Sequence, residues 1–160
     1  MIILFTLISL TLSFSQVHVS FESKGDFLNK STGAGLAVGY NHNIWQQKNV
    51  SSGIGIETSI IPIKLNNAPR GMSFNTIYFH FKYAVEETLS AYTRLGATFG
   101  NDNEDLLPST SGMYFGVGID KNFDDQYHIQ LGYQFKNILE YNYSSFVITF
   151  IKHFELEDDE

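Results

Sequence analysis

The chain has 160 residues, enough for one domain, and it contains no cysteine, which excludes disulfides and thiolate metal sites. Charged residues make up 17% of it, below the roughly 25% of soluble domains, whereas aromatic residues make up 15%. Five of the 17 acids lie in residues 155–160, and the other 12 nearly balance the 10 Lys and Arg. No basic surface for nucleic acid is therefore expected.

Residues 1–15 predict a secretory signal peptide. Ile2 to Leu12 form a nearly unbroken apolar run, and Ser13 and Ser15 supply small residues ahead of a cleavage site before Gln16. The run is short for a membrane-spanning helix. No Lys or Arg precedes the run, as would be usual in a signal peptide. The alternative is that residues 1–15 form a first β-strand or that the start codon is misassigned.

Eight stretches of the remaining chain alternate apolar and polar side chains with the period of two that a β-strand produces. No helical period of 3.6 competes with this pattern over any long window. In chain order, the predicted strands run from Val17 to Glu22, Ala34 to Ile44, Ser52 to Ile61, Phe74 to Val85, Leu89 to Phe99, Met113 to Phe123, Tyr127 to Lys136 and Tyr143 to Phe154.

The two faces of each predicted strand differ in a way that indicates a barrel. In the third strand, Ile54 and Ile56 alternate with Gly53, Gly55 and Glu57. A polar face that met water would carry many Lys and Glu, but these faces are rich in Gly, Ser and Thr. The interior of an eight-stranded barrel is only wide enough to be filled by its own side chains. The pattern therefore predicts a glycine-rich interior and an apolar outer face.

The connections alternate in length and indicate how the barrel is oriented. Those after the second, fourth and sixth strands are short, whereas those after the first, third and fifth are long. Transmembrane barrels have an even number of strands, short periplasmic turns and longer outer loops. We therefore expect a signal peptide at 1–15, a transmembrane barrel at 16–154 and an acidic periplasmic tail at 155–160.

Aromatic side chains collect near both ends of the predicted strands, as in the interfacial girdles of membrane proteins. Ordinary packing of large side chains is the alternative explanation. The predicted girdle on the short-turn side consists of Trp45, Tyr83, Phe123, Tyr127 and Phe154, and that on the long-loop side of Phe99, Phe135 and Phe146.

In pattern, length and topology, the chain from Val17 to Phe154 resembles the small eight-stranded outer-membrane β-barrel proteins, of the OmpX and OmpA transmembrane-domain kind. The resemblance rests on no sequence motif. It implies an all-β, eight-stranded antiparallel up-and-down barrel in the outer membrane of a Gram-negative bacterium, in contact with membrane lipid and lipopolysaccharide. Phe146 to Phe154 looks like the aromatic-ended signal that outer-membrane insertion machinery reads, although six residues follow it.

The inward faces gather titratable side chains, which must be paired or hydrated when buried. We expect a structural network in which Glu57 pairs with Arg94 or Lys82, and Asp120 pairs with Lys136 or Arg94. A gated polar path for small solutes is the alternative. The predicted interior network consists of Glu57, His80, Lys82, Arg94, Asp120, His128 and Lys136.

No catalytic, metal or cofactor site is expected. Some small outer-membrane barrels modify lipid A, but the histidines here form no His-x-Ser-Asn arrangement, and there is no Gly-x-Ser-x-Gly elbow. The acidic loop Asn101 to Asp105 lacks the glycine and the distal glutamate of a calcium loop. It could still meet cations that bridge lipopolysaccharide phosphates, and Lys64 and Arg70 could contact those phosphates directly.

Three functions remain open. The favoured one is a non-enzymatic structural or surface-interaction role through the extracellular loops, with a possible membrane-protein or surface partner. The second is a narrow solute or ion conduit through the polar interior. The third is a soluble, lipocalin-like binder of an apolar ligand, which the position of Trp45 at the end of the second strand disfavours. The acidic tail solubilises the chain end or docks a basic periplasmic partner.

Overall fold

The computed structural model describes residues 15–26, 31–61, 63–64, 71–101, 110–124, 126–138 and 141–154. In these ranges, no helix is long and apolar enough to cross a membrane. The described residues form the strands β1 (Ser15–Asp26), β2 (Ser31–Gln47), β3 (Val50–Ile61), β4 (Ile63–Lys64), β5 (Gly71–Glu86), β6 (Leu89–Asn101), β7 (Thr110–Asn122), β8 (Tyr127–Ile138) and β9 (Tyr141–Phe154).

Eight of these strands close into an antiparallel barrel. Each pairs with its neighbours along the chain, and β1 pairs with β9, so that Val19 lies opposite Phe150 and no edge is left open. The two-residue strand β4 pairs only with β5, where Ile63 lies opposite Met72. The predicted eight-stranded antiparallel barrel is confirmed.

The strands extend further than predicted, mainly at the long-loop end. The β1–β2 ladder, for example, continues from the pair Phe21 and Leu36 to the pair Asp26 and Ser31. Ladder hydrogen bonds need no apolar face, so pairing persists beyond the point where alternation stops. At the other end the turns are tight: only Lys48 and Asn49 separate β2 from β3, and Lys48 has a φ of 49°.

The apolar face of the barrel points outward. Ile77 and Phe79 are 56% and 60% exposed, whereas the alternating Thr76 and Tyr78 are 2% and 1% exposed. The same contrast recurs in the other barrel strands and creates an apolar band far larger than the patches that soluble monomers expose. The lipocalin-like alternative is wrong, because it requires an apolar interior.

Large inward rings lie beside glycines on the neighbouring strands. Tyr78 is paired with Gly55 on one side and with Gly96 on the other, and its hydroxyl donates a 2.6 Å hydrogen bond to Asn41 Oδ1. A Cβ added at Gly55 would collide with the Tyr78 ring, and one added at Gly96 would collide with the carbonyl oxygen of Ile77. The glycine-rich inner face therefore provides the room that the interior rings occupy.

Substituting alanine at Gly96 should destabilise the barrel, because the backbone around Ile77 cannot move aside. We expect a loss of about 1–3 kcal/mol in the free energy of unfolding, typical of overpacking. Gly116→Ala is the matched control, since the nearest atom to its added Cβ would be the hydroxyl at the tip of the Tyr114 side chain, at 3.1 Å, and no backbone atom would lie closer. Denaturant unfolding in detergent micelles measures both, and equal stability of the two variants would contradict this packing argument.

Candidate functional site

Among the residues that the structure describes, the ion pairs of the polar interior form two groups, and the first lies toward the long loops. In this loop-side cluster, defined by Glu22, Glu57, Arg94 and Lys136, Lys136 Nζ lies 2.9 Å from Glu22 Oε1 and 3.9 Å from Glu57 Oε1. Arg94 Nη1 lies 3.8 Å from Glu57 Oε2. All four side chains are at most 3% exposed. Two cations thus face two carboxylates, so the buried charges balance.

Glu57 is held from two further directions. Ser20 donates a 3.1 Å hydrogen bond to Glu57 Oε2, and His18 Nε2 lies 3.3 Å from the same oxygen. Ser20 also shares a 3.0 Å hydrogen bond with Thr149 on β9. These contacts fix one carboxylate between strands β1, β3 and β9, which is the support that a buried charge requires.

The second group lies toward the short turns. In this turn-side cluster, defined by Lys82, Asp120, His128 and Gln130, Lys82 Nζ lies 3.0 Å from Asp120 Oδ2. His128 Nδ1 lies 3.2 Å from Asp120 Oδ1, and Gln130 donates a 2.7 Å hydrogen bond to Asp120 Oδ2. Asp120 is 1% exposed and therefore relies on these three partners.

Arg94 joins the two clusters into one chain of contacts. Its Nη2 donates a 2.6 Å hydrogen bond to Gln130 Oε1, while its guanidinium carbon lies 4.9 Å from the Tyr78 ring centre and 5.2 Å from that of Tyr92. A gap of about 20 Å³, lined in part by Arg94, Tyr92 and Asp120, remains beside it. That is room for about one water molecule.

The short-turn end of the interior opens into a polar vestibule of about 210 Å³. His128 and His153 stack there, with ring centres 4.2 Å apart, and Lys82 and Gln16 also line the space. Within the described residues, no group of three or more His, Cys, Asp or Glu is arranged to hold a metal ion. Chemically, the vestibule offers hydrogen-bonding groups, and the filled lumen closes it toward the long loops.

The seven predicted network residues all lie on inward positions, but several pairings differ from expectation. Glu57 contacts Arg94 as expected. Lys82 contacts Asp120 rather than Glu57, and Lys136 contacts Glu22 and Glu57 rather than Asp120. His80 lies 2.9 Å from Asn43 Oδ1 and contacts no predicted acid.

Sequence reasoning missed Glu22, His18 and Gln130 as members of the network. Glu22 and His18 alternate with the apolar Val19 and Phe21, so the inward position of both was visible from periodicity. Their partners were not, because contacts across the lumen depend on the stagger between strands that are distant in the chain. Glu22 and Lys136, for example, are 114 residues apart.

Seven of the eight predicted girdle residues take outward positions near the strand ends. Phe99 and Phe135 are partly exposed, and the side chain of Phe154 lies outside the described residues. Near the short turns, Lys152 Nζ lies 5.6 Å from the ring centre of Tyr127. The most exposed members of the set are Trp45, Tyr83, Phe123, Tyr127 and Phe146, at 48%, 55%, 65%, 48% and 61%.

The sequence matches one protein family over nearly its whole length. The model of the outer membrane protein beta-barrel domain matches residues 6–154, and the chain belongs to this family. It is therefore an outer-membrane barrel whose apolar face meets lipid. No curated protein sequence matches the chain.

Several solved structures share the fold. Ail, the attachment invasion locus protein of Yersinia pestis, is 13% identical over 88% of this chain and 95% of its own, with a TM-score of 0.57. The N-terminal β-barrel domain of Pseudomonas aeruginosa OprF is 11% identical over 89% and 98%, with a TM-score of 0.60. Neisserial surface protein A is 10% identical over 88% and 96%, at 0.57. At these identities the likeness concerns the fold alone.

Removing one of the two cations of the loop-side cluster should lower the stability of the barrel. Lys136→Met leaves Glu22 and Glu57 with one cation fewer, and we expect a loss of about 3–5 kcal/mol in the free energy of unfolding. Lys121→Met is the control, because Lys121 is exposed and, within the described part of the chain, hydrogen-bonds Thr88 alone, at 2.6 Å. It should cost less than about 1 kcal/mol.

The measurement is denaturant unfolding of both variants in the same detergent. Adding Glu22→Gln to Lys136→Met should restore part of the lost stability, because it removes one of the carboxylates that the lysine had neutralised. If Lys136→Met were as stable as Lys121→Met, the loop-side cluster would not stabilise the barrel.

Proposed function

We propose that the protein is a non-enzymatic outer-membrane barrel that acts through its extracellular loops, in a structural or surface-interaction role. The filled interior is the observation that carries this proposal. The loop-side and turn-side clusters meet at the bond between Arg94 and Gln130, and the gap beside them is only about 20 Å³. A barrel occupied in this way serves as a rigid support, and the loops remain as the variable binding surface.

One long loop carries basic residues that suit an anionic partner, and another carries acidic residues that suit cations. Residues 62–70 contain Lys64 and Arg70, whereas residues 102–109 contain three acids. Ail, which shares the fold, has been solved in complex with the heparin analogue sucrose octasulfate. We propose that Lys64 and Arg70 bind phosphate or sulfate groups of surface glycans, lipopolysaccharide among them, because charge-assisted hydrogen bonds to such oxygens are strong.

The same proposal includes the route to the membrane. Residues 1–15 act as a cleaved signal peptide, insertion machinery reads the strand that ends at Phe154, and the tail 155–160 remains in the periplasm of a Gram-negative cell. The apolar run in the leader and the aromatic end of β9 support this assignment.

Neutralising the two loop cations should weaken glycan binding. We expect the double variant Lys64→Ala, Arg70→Ala to lose roughly tenfold or more in affinity for heparin or lipopolysaccharide, about 1.4 kcal/mol, with a weaker salt dependence. The double variant Lys48→Ala, Lys121→Ala, which changes two cations near the short turns, should bind like the unchanged protein.

Binding is measured on refolded barrels whose migration on gels shifts on boiling, so that a folding defect is recognised. Replacing residues 101–112 tests the acidic loop in the same assay, with divalent cations present or absent. Equal binding by the loop variant and its control would argue against a glycan-binding role for the cations.

Conductance separates the favoured function from a conduit. We expect the unchanged barrel to give no steady single-channel current in planar bilayers, because Arg94 and its partners close the lumen. Arg94→Ala removes the side chain that joins the two clusters, and among the interior variants it is the one we expect to conduct. Steady current from the unchanged barrel, altered by Glu57→Gln, would instead favour the conduit.

A further inference from the structure

A polar pair interrupts the apolar outer face between β3 and β5. Thr58 and Asn75 lie directly opposite each other in the ladder, are exposed, and share a 2.6 Å hydrogen bond from Thr58 Oγ1 to Asn75 Oδ1. Further toward the long loops, β3 continues with Ile60 and Ile61, which are 54% and 52% exposed. The pair therefore has exposed apolar side chains on both sides of it along β3, Ile56 on one side and Ile60 on the other.

Asn75 retains hydrogen-bonding capacity that the barrel does not use. Its side-chain oxygen accepts the bond from Thr58, and among the described residues its Nδ2 makes no hydrogen bond. An amide donor without a partner costs free energy in an apolar medium, and hydrocarbon cannot satisfy it. An external acceptor at this point would remove that cost.

An apolar trough on the outer wall begins at this pair. Two adjoining hollows of about 510 and 440 Å³ share Tyr40, Ile56, Ile77 and Phe99, and the smaller of them reaches Thr58 and Asn75. The larger continues toward the short turns and is lined there by Phe79, Ala97 and His42. Volumes of this size are typical of ligand sites, and apolar walls with a few polar groups are typical of their composition.

The polarity of the trough matches that of a lipid in the outer leaflet. The exposed Thr58–Asn75 pair lies at the end of the trough that faces the long loops, and Asn75 is paired in the ladder with Phe99, one of the predicted girdle residues on that side. Aromatic belts mark the headgroup level of a bilayer. An acyl chain of the outer leaflet has its carbonyl near that level and its tail toward the midplane. The acyl chain and the trough therefore run in the same direction.

We propose that this trough binds one acyl chain of lipid A. The Nδ2 of Asn75 donates to the carbonyl oxygen of the ester or amide that links the chain, and the chain lies over Ala97 between Ile77 and Phe99. The trough is continuous with the lipid-facing surface, and an acyl chain supplies the dispersion contacts that an unfilled hollow lacks. The inference depends on the long loops facing outward and is independent of what those loops bind.

The test is lipid retention by the folded barrel. The chain is refolded in vesicles that contain lipid A and diacyl phospholipid and is extracted into mild detergent, and the lipid bound to each barrel is measured by native mass spectrometry. Ala97→Phe fills the trough. Ala91→Phe is the matched control, because Ala91 is exposed on the same face of β6 but lines neither hollow.

We expect one retained lipid A molecule per unchanged barrel and per Ala91→Phe barrel. Retention should fall roughly tenfold or more in Ala97→Phe, and by a smaller factor in Asn75→Leu, which loses the donor but keeps the apolar walls. The boiling-dependent gel shift confirms that each variant is folded. The variant Lys64→Ala, Arg70→Ala should retain lipid, so failure of the loop proposal is distinguishable from failure of this one.

Three results would overturn the inference. Ala97→Phe and Ala91→Phe could retain the same amount of lipid A. Diacyl phospholipid could be retained as well as lipid A, which would assign the hollow to any acyl chain. A dimer mass that Ala97→Phe removes would make a second copy of the chain the occupant.

Discussion

The interior of an eight-stranded barrel has a fixed width, and every charge placed in it must find a partner there. Lys136 meets this constraint by contacting Glu22 and Glu57, and Asp120 meets it by contacting Lys82 and His128. Unpaired, any of these groups would carry the full cost of a buried charge. The closed lumen is a consequence of this pairing, because the side chains that neutralise one another also fill the space between the walls.

Large side chains in the lumen need room, just as charged ones need partners. Tyr78 occupies the lumen beside Arg94, and it has room because Gly55 and Gly96 flank it in the ladder. A glycine in a strand normally weakens it, since it adds no packing and loses more conformational entropy. Here the absence of a side chain lets a neighbouring ring lie against the wall. The cost at the glycines is offset by the contacts of the rings.

Periodicity alone determined which side chains face the lumen, but not which of them meet. The alternation of Ile56 with Glu57 fixes the two faces, since successive residues of a strand point in opposite directions. The partner of Lys136 depends on how far each strand is displaced along its neighbour, summed around the barrel. That displacement cannot be derived from the alternation in a single sequence. The alternation therefore predicted the fold and which side chains face the lumen, whereas the membership of Glu22, His18 and Gln130 in the network and the ion pairs themselves follow only from the three-dimensional structure.

The inner face of the barrel wall meets polar side chains and the outer face meets lipid, and this difference determines which face can bind a ligand. Inside, the ion pairs and the rings beside them fill the lumen and leave little room for a solute. Outside, Thr58 and Asn75 place hydrogen-bonding groups on the wall that faces lipid, where lipids and other membrane proteins can act as their external partners. A polar group in that position is costly unless something accepts its hydrogen bond, and a polar pair on a lipid-facing wall therefore indicates binding more strongly than the same pair on a soluble surface.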